Sequence, residues 1–351
     1  MASKKNIEWL DTLRALATIG VVVVHVSSPL VNMTYAKNMP YWWIGNVVDS
    51  VARFSVPMFL MLSGATLLSK EYDLLSFYKK RISRVLVPFV FWLLVYAIYR
   101  YAMLYPNQQP HGFQAILQWG LDLFLKEGIS KHLWYVYMIL FIYLFVPVLG
   151  KWLRGLSNNS VLTVLIAWVM VSFACKAMPI NQYCWSSGYG DKLLGYFLHT
   201  GYLVLGFYLV KINFRFMQLK FYSVFVFFLC AISTAILVYF SSKNAHKLDL
   251  SFYSYFTPFS ILQTSALFLW VKDVTIQNSY VSSIQSTISN YSYGIYLVHI
   301  MVIGISFRYG IFWTMAHPCI SLLLVTVMTL IISFGIIYGL RRIPFGKYVA
   351  G

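Results

Sequence analysis

The chain has 351 residues, of which 60% are hydrophobic, 19% aromatic and only 11% charged, and its mean hydropathy is +0.69. This composition excludes an ordinary soluble domain and reads as an all-α, polytopic transmembrane helical bundle. A formal charge of +17 would point to nucleic acid in a soluble chain. Here the positive-inside bias and anionic headgroups account for most of it, so the expected partner of the basic face is membrane lipid and not nucleic acid.

Spans are expected at 9–31, 43–69, 84–104, 132–150, 160–179, 193–211, 220–241, 253–272, 284–308 and 319–341, about ten in all, each near the ~20 residues a bilayer requires. With the N-terminus inside, sixteen Lys and Arg residues fall on the cytoplasmic side and nine on the other, which favours both termini cytoplasmic. No repeat, linker or appended soluble domain is visible, so 1–351 reads as a single membrane-embedded domain. The first segment lacks a small-residue cleavage site and reads as a retained helix.

That first span carries Asp11, Arg14 and His25, and ionisable groups inside a bilayer default to a functional hypothesis. At about 100° per residue, Arg14 and His25 point the same way, separated by about 16 Å along the axis. Asp11 and Thr18 lie near the same stripe. The other reading is a structural polar network between helices.

The second span adds Asp49 and Arg53, four apart on one face, where they neutralise each other. Pro57 frees a backbone carbonyl, and Ser63 and Gly64 let a neighbour approach closely. An internal ion pair used for packing and a functional Arg53 are equally compatible with this pattern. The third span opens with YKKRISRVLVPF, where Arg81 and Arg84 share a face at the cytoplasmic mouth. Such a pair either anchors headgroups or grips phosphates with two guanidinium forks. In 105–131, Phe113, Ile116, Leu117, Leu121 and Phe124 recur at helical spacing, as in a helix lying along the outer interface.

His132, Trp134, Tyr135 and Tyr137 open the fourth span at the outer interface, where aromatic belts are common. In the ninth span Ser289, Ser292, Tyr296 and His299 form a second polar stripe, with His299 either structural or lining an acceptor site. His199 reads as an interhelical hydrogen-bonder, and His111, His246 and His317 as loop residues. Cys175, Cys184, Cys230 and Cys319 have no metal-ligand spacing, and no metal is expected. Cys175 and Cys184 flank one loop and are either paired across it or free.

Five stretches in order, LDTLRALATIGVVVVHV, SVARFSVPMFLMLSG, Arg81-x-x-Arg84, HLWYVYMILFIYLFVP and SYGIYLVH, resemble the acyltransferase-3 family of membrane O-acyltransferases. That family's hallmark is an Arg or Lys and a His separated by ten residues, which Arg14 and His25 match. Within the family the chain looks closest to the stand-alone enzymes that O-acetylate enterobacterial common antigen and similar surface glycans. The resemblance implies acetyl transfer, in the bacterial cytoplasmic (inner) membrane, from cytoplasmic acetyl-CoA to a hydroxyl of an envelope glycan or lipid-linked sugar. Arg81 and Arg84 would then hold the phosphates of the donor. His25, whose ordinary pKa near 6.5 lets it take a proton at working pH, would act as general base or transient acyl carrier. Arg14, paired with Asp11, would orient the thioester carbonyl or its oxyanion. Arg53, Trp134, Tyr137, Ser292, Tyr296 and His299 would line the substrate cavity. A transporter or flippase would also place charges along a central path, and a receptor-like bundle would use the polar stripes as glue.

Overall fold

The computed structural model describes residues 5–103, 109–122, 128–177, 189–212, 217–272, 274 and 276–351. Among them every regular element is helical, as required of a chain that must satisfy its own backbone polar groups in lipid. Nine helical stretches of these residues are long and apolar enough to cross a bilayer. The expected roles of Cys184 and Phe124 lie outside the described residues.

Helix α1 (Lys5–Thr34) is the centre of the bundle. It packs against α2 (Met39–Ala52), α3 (Ser55–Leu67), α10 (Pro258–Lys272), α11 (Ser279–Arg308) and α12 (Pro318–Arg342). Around these lie α4 (Leu74–Met103), α6 (Trp134–Arg154), α7 (Asn158–Ala177), α8 (Tyr189–Lys211) and α9 (Met217–Asn244). The short α5 (Phe113–Asp122) leaves Phe113, Ile116, Leu117 and Leu121 exposed, the apolar stripe that an interfacial helix presents to lipid.

The expected second span is two helices. Pro57 has no N–H to give the carbonyl of Arg53 one turn earlier, and the helix breaks at Arg53–Phe54. Fully buried Gln263 on α10 satisfies the loosened end of α2, its Nε2 donating to the carbonyls of Ser50 and Val51, both at 3.1 Å. Beyond the break α3 crosses α8 at near backbone contact. A Cβ on Gly64 would lie 1.9 Å from the Leu203 carbonyl oxygen, and one on Gly206 would lie 2.0 Å from that of Met61.

The expected span 253–272 also differs. Its helix, α10, has only 15 residues, and the residues before it form a 3-10 turn at Ser251–Tyr253. At the far end Lys272 donates to the carbonyls of Leu209 and Ile212, at 2.8 and 2.7 Å, closing the C-terminus of α8. After α12 the chain folds back through α13 (Gly346–Val349). Trp92 Nε1 holds the Val349 carbonyl at 3.1 Å, and Arg341 donates to the carbonyls of Asn290 and Gly351 at 3.0 and 2.5 Å. This places Gly351 at the same end of the bundle as Arg14.

Candidate active site

The polar stripe of α1 is divided between two cavities. Asp11 and Arg14 meet Ser289 of α11: Arg14 Nη1 donates to Ser289 Oγ at 2.9 Å and to Asp11 Oδ1 at 3.3 Å, while Ser289 donates to Asp11 at 2.6 Å. Thr18 bonds back to the Arg14 carbonyl at 2.8 Å. The guanidinium is therefore aimed by a carboxylate and a hydroxyl, and it faces a cavity of about 900 Å³ with Lys80, Arg81, Arg84, Ser292, Tyr293 and Lys347 in its walls. Tyr293 is held by its hydroxyl on the Val85 carbonyl, at 2.7 Å. Arg81 and Arg84 stand in the first turns of α4, because that helix begins at Leu74 and not near residue 84.

Three turns up α1, His25 opens into a second cavity of about 670 Å³, with Ser28, Arg53, His132, Trp134 and Tyr255 among its walls. Val21, Val56, Tyr135 and Tyr296 line both spaces and form the waist between them. The Tyr296 hydroxyl donates to the His132 carbonyl, fixing one side of that waist.

Arg53 reaches the second cavity from the α2–α3 break. It pairs with Asp49, which is 1% exposed and also accepts from Ser27 Oγ at 3.3 Å. Its guanidinium lies over the Tyr253 ring at 4.0 Å, and its buried Nε has no hydrogen-bond partner. Trp134 stacks on Tyr255, centroids 6.2 Å apart and planes at 21°, with His199 against both rings at 5.5 and 6.1 Å.

Three imidazoles converge here. His25 lies 5.2 Å from His299 and 6.5 Å from His132 between ring centroids, and His132 lies 5.3 Å from His299. Only His25 is half-exposed; His132 and His299 are 4% and 0% exposed. His25 is thus the imidazole open to a reactant. Among the described residues no group of three or more His, Cys, Asp or Glu side chains is placed to hold a metal ion.

The sequence-derived set therefore divides. His25, Arg53 and Trp134 line the upper cavity, Arg14, Arg81, Arg84 and Ser292 the lower one, and Tyr296 both. Asp11 supports Arg14 from behind. Like Asp11, two more residues fall outside both linings: Tyr137 packs edge-on against Phe89 at 4.9 Å, and His299 is buried behind His25. Arg14 and His25 line different chambers. Sequence reasoning did not single out Lys80, Lys347, His132, Tyr135 or the Ser251–Tyr255 turn as site residues.

A model of the acyltransferase-3 family, described as an acyltransferase domain, matches residues 7–338. The chain belongs to that family. As a family member it is an integral membrane acyltransferase, and the matched range holds both cavities apart from Lys347, Tyr348 and Gly351. No curated protein and no solved structure matched in the corresponding searches.

Proposed function

We propose that this acyltransferase moves an acetyl group from cytoplasmic acetyl-CoA to a hydroxyl of a bacterial cell-envelope glycan, across the inner membrane, with His25 as general base. The observation that carries this reading is the pair of cavities meeting at Val21, Val56, Tyr135 and Tyr296, one rich in cations and the other holding the half-exposed imidazole. A donor bearing several phosphates suits Lys80, Arg81, Arg84 and Lys347, since charge-assisted contacts to phosphate are the strong ones. Arg14, held by Asp11 and Ser289, then serves the donor's arm and not the oxyanion. On the other side, Trp134 and Tyr255 offer apolar surface to a sugar ring, with Ser28, Ser251 and Ser254 for its hydroxyls.

In this reading His25 takes the proton of the acceptor hydroxyl. The oxygen attacks the thioester carbon, the C–S bond breaks, and the proton passes to the leaving thiolate. The unpartnered Nε of Arg53 is a donor waiting for charge: left unmet it costs about 1–3 kcal/mol, and a developing oxyanion would use it. Acetyl transfer through His25 itself is the variant of the same chemistry. The test is mass spectrometry of surface glycans from cells with and without the chain, alongside a His25→Ala strain. An acetyl mass increment that needs the chain and its His25 supports the reading; an unchanged glycan profile overturns it.

A further inference from the structure

A general base works best when something fixes its second ring nitrogen, and in many hydrolytic sites that is a carboxylate. The carboxylate buried in this region, Asp49, is committed to Arg53 and Ser27. What His25 has beside it is His299. The Nδ1 of His299 lies 2.6 Å from the Tyr296 carbonyl oxygen. A carbonyl only accepts, so Nδ1 carries the hydrogen and Nε2 of the neutral ring is a bare lone pair. That Nε2 is buried without a hydrogen-bond partner, in a residue with 0% exposure.

Two rings stand near this lone pair, and His25 is the one of them open to a reactant. Two imidazoles joined by one N–H···N hydrogen bond have centroids about 5 Å apart, given N···N near 3 Å. His25 and His132 lie 5.2 and 5.3 Å from His299, and His132 Nδ1 is paired with Ser130 Oγ at 2.7 Å. The turn of α11 that carries His299 is also pinned. The Tyr96 hydroxyl donates to the Leu297 carbonyl at 2.9 Å and accepts from Met301 N–H at 3.2 Å, inserting into the backbone ladder on either side of His299.

We propose that His299 is a positioning residue for His25: its Nε2 accepts the hydrogen bond of His25 when His25 takes the acceptor's proton. The inference rests on His25 being the base. The proton leaves the acceptor hydroxyl for the cavity-facing nitrogen of His25, the other His25 N–H is held by His299, and the proton departs with the thiolate. His299 neither gains nor loses a proton.

The experiment compares purified wild-type, His299→Phe, His299→Gln, His25→Ala and the His25→Ala/His299→Phe double variant in acetyl-CoA-dependent transfer. Gln returns an acceptor oxygen near the Nε2 position; Phe keeps bulk and returns none. The expected result is a kcat about 10²-fold lower for His299→Phe, the scale of general-base catalysis. KM for acetyl-CoA should stay within about twofold, His299→Gln should recover most of the loss, and Phe should add nothing on the His25→Ala background. Equal losses for Phe and Gln, an unchanged kcat, or a further loss in the double variant would overturn the proposal. Wild-type activity in His25→Ala would instead overturn the base assignment beneath it.

Discussion

Arg14 and His25 occupy one stripe of α1 and open into different cavities, Arg14 with the cations of α4 and His25 with Arg53. The rise of about 16 Å between them spans the waist at Val21, Val56, Tyr135 and Tyr296. A spacing that places two residues on one face thus serves two chambers, and the expected consequences of changing each residue separate accordingly.

Replacing Arg14 by Gln is expected to raise KM for acetyl-CoA about tenfold and leave kcat within about threefold, because a charge-assisted contact to the donor is worth about 1.5–3 kcal/mol. Arg14→Lys should fall between, since one ammonium does not reproduce a fork held by Asp11 and Ser289. Steady-state kinetics decide it. A loss confined to kcat would return Arg14 to the reacting carbonyl.

For Arg81 and Arg84, the double Gln variant should weaken donor binding by at least about tenfold, with Lys347→Gln adding a smaller loss. Calorimetry with CoA measures both. Unchanged affinity in the double variant would make these residues lipid-headgroup anchors.

Arg53→Lys keeps the charge and discards the buried Nε donor, so kcat should drop about 10²-fold, the scale of losing one oxyanion donor. Asp49→Asn has a different expected effect. It leaves a buried guanidinium without its counter-charge, destabilising the fold by about 3–5 kcal/mol, read as lost thermal stability in detergent. Equal stability in Asp49→Asn would contradict the ion pair's role at the α2–α3 break.

The crossing of α3 and α8 predicts a purely structural outcome. Gly64→Ala puts a methyl 1.9 Å from the Leu203 carbonyl oxygen, so the helices must part. A loss of about 3 kcal/mol or more is expected, seen as a fall in the detergent melting temperature.

The α1 stripe, Arg81 and Arg84, Gly64 as a close-approach point and the exposed apolar face of α5 were legible in the sequence, because each rests on helical periodicity or on residue size alone. What was not legible depends on how helices end or turn. Pro57 signalled a freed carbonyl, yet only the fold shows that Arg53, at that break, lines the upper cavity. The run around Tyr253 and Tyr255 is aromatic enough to read as the start of a span, while it is a turn walling the upper cavity. Tyr137 was grouped with Trp134 by neighbourhood, but it stands about 200° round the helix from Tyr135 and packs away. His299 sits about 60° off Tyr296, enough to carry it behind the wall. His132 was hidden in a run typical of interfacial aromatics, and Lys347 reaches the lower cavity only because the chain folds back after α12.

The two-sided site is tested most directly by accessibility. In a cysteine-free background, Ser28→Cys places a thiol in the cavity of His25, and Ser83→Cys places one in the cavity of Arg81 and Arg84. Both variants are probed with a membrane-impermeant thiol reagent in intact cells and in inverted vesicles. The account predicts that the Ser28→Cys variant labels from outside and is blocked by acceptor analogues, while the Ser83→Cys variant labels only in inverted vesicles and is blocked by CoA. Labelling of the Ser28→Cys variant only in inverted vesicles would contradict it and place donor, acceptor and His25 on one side of the membrane.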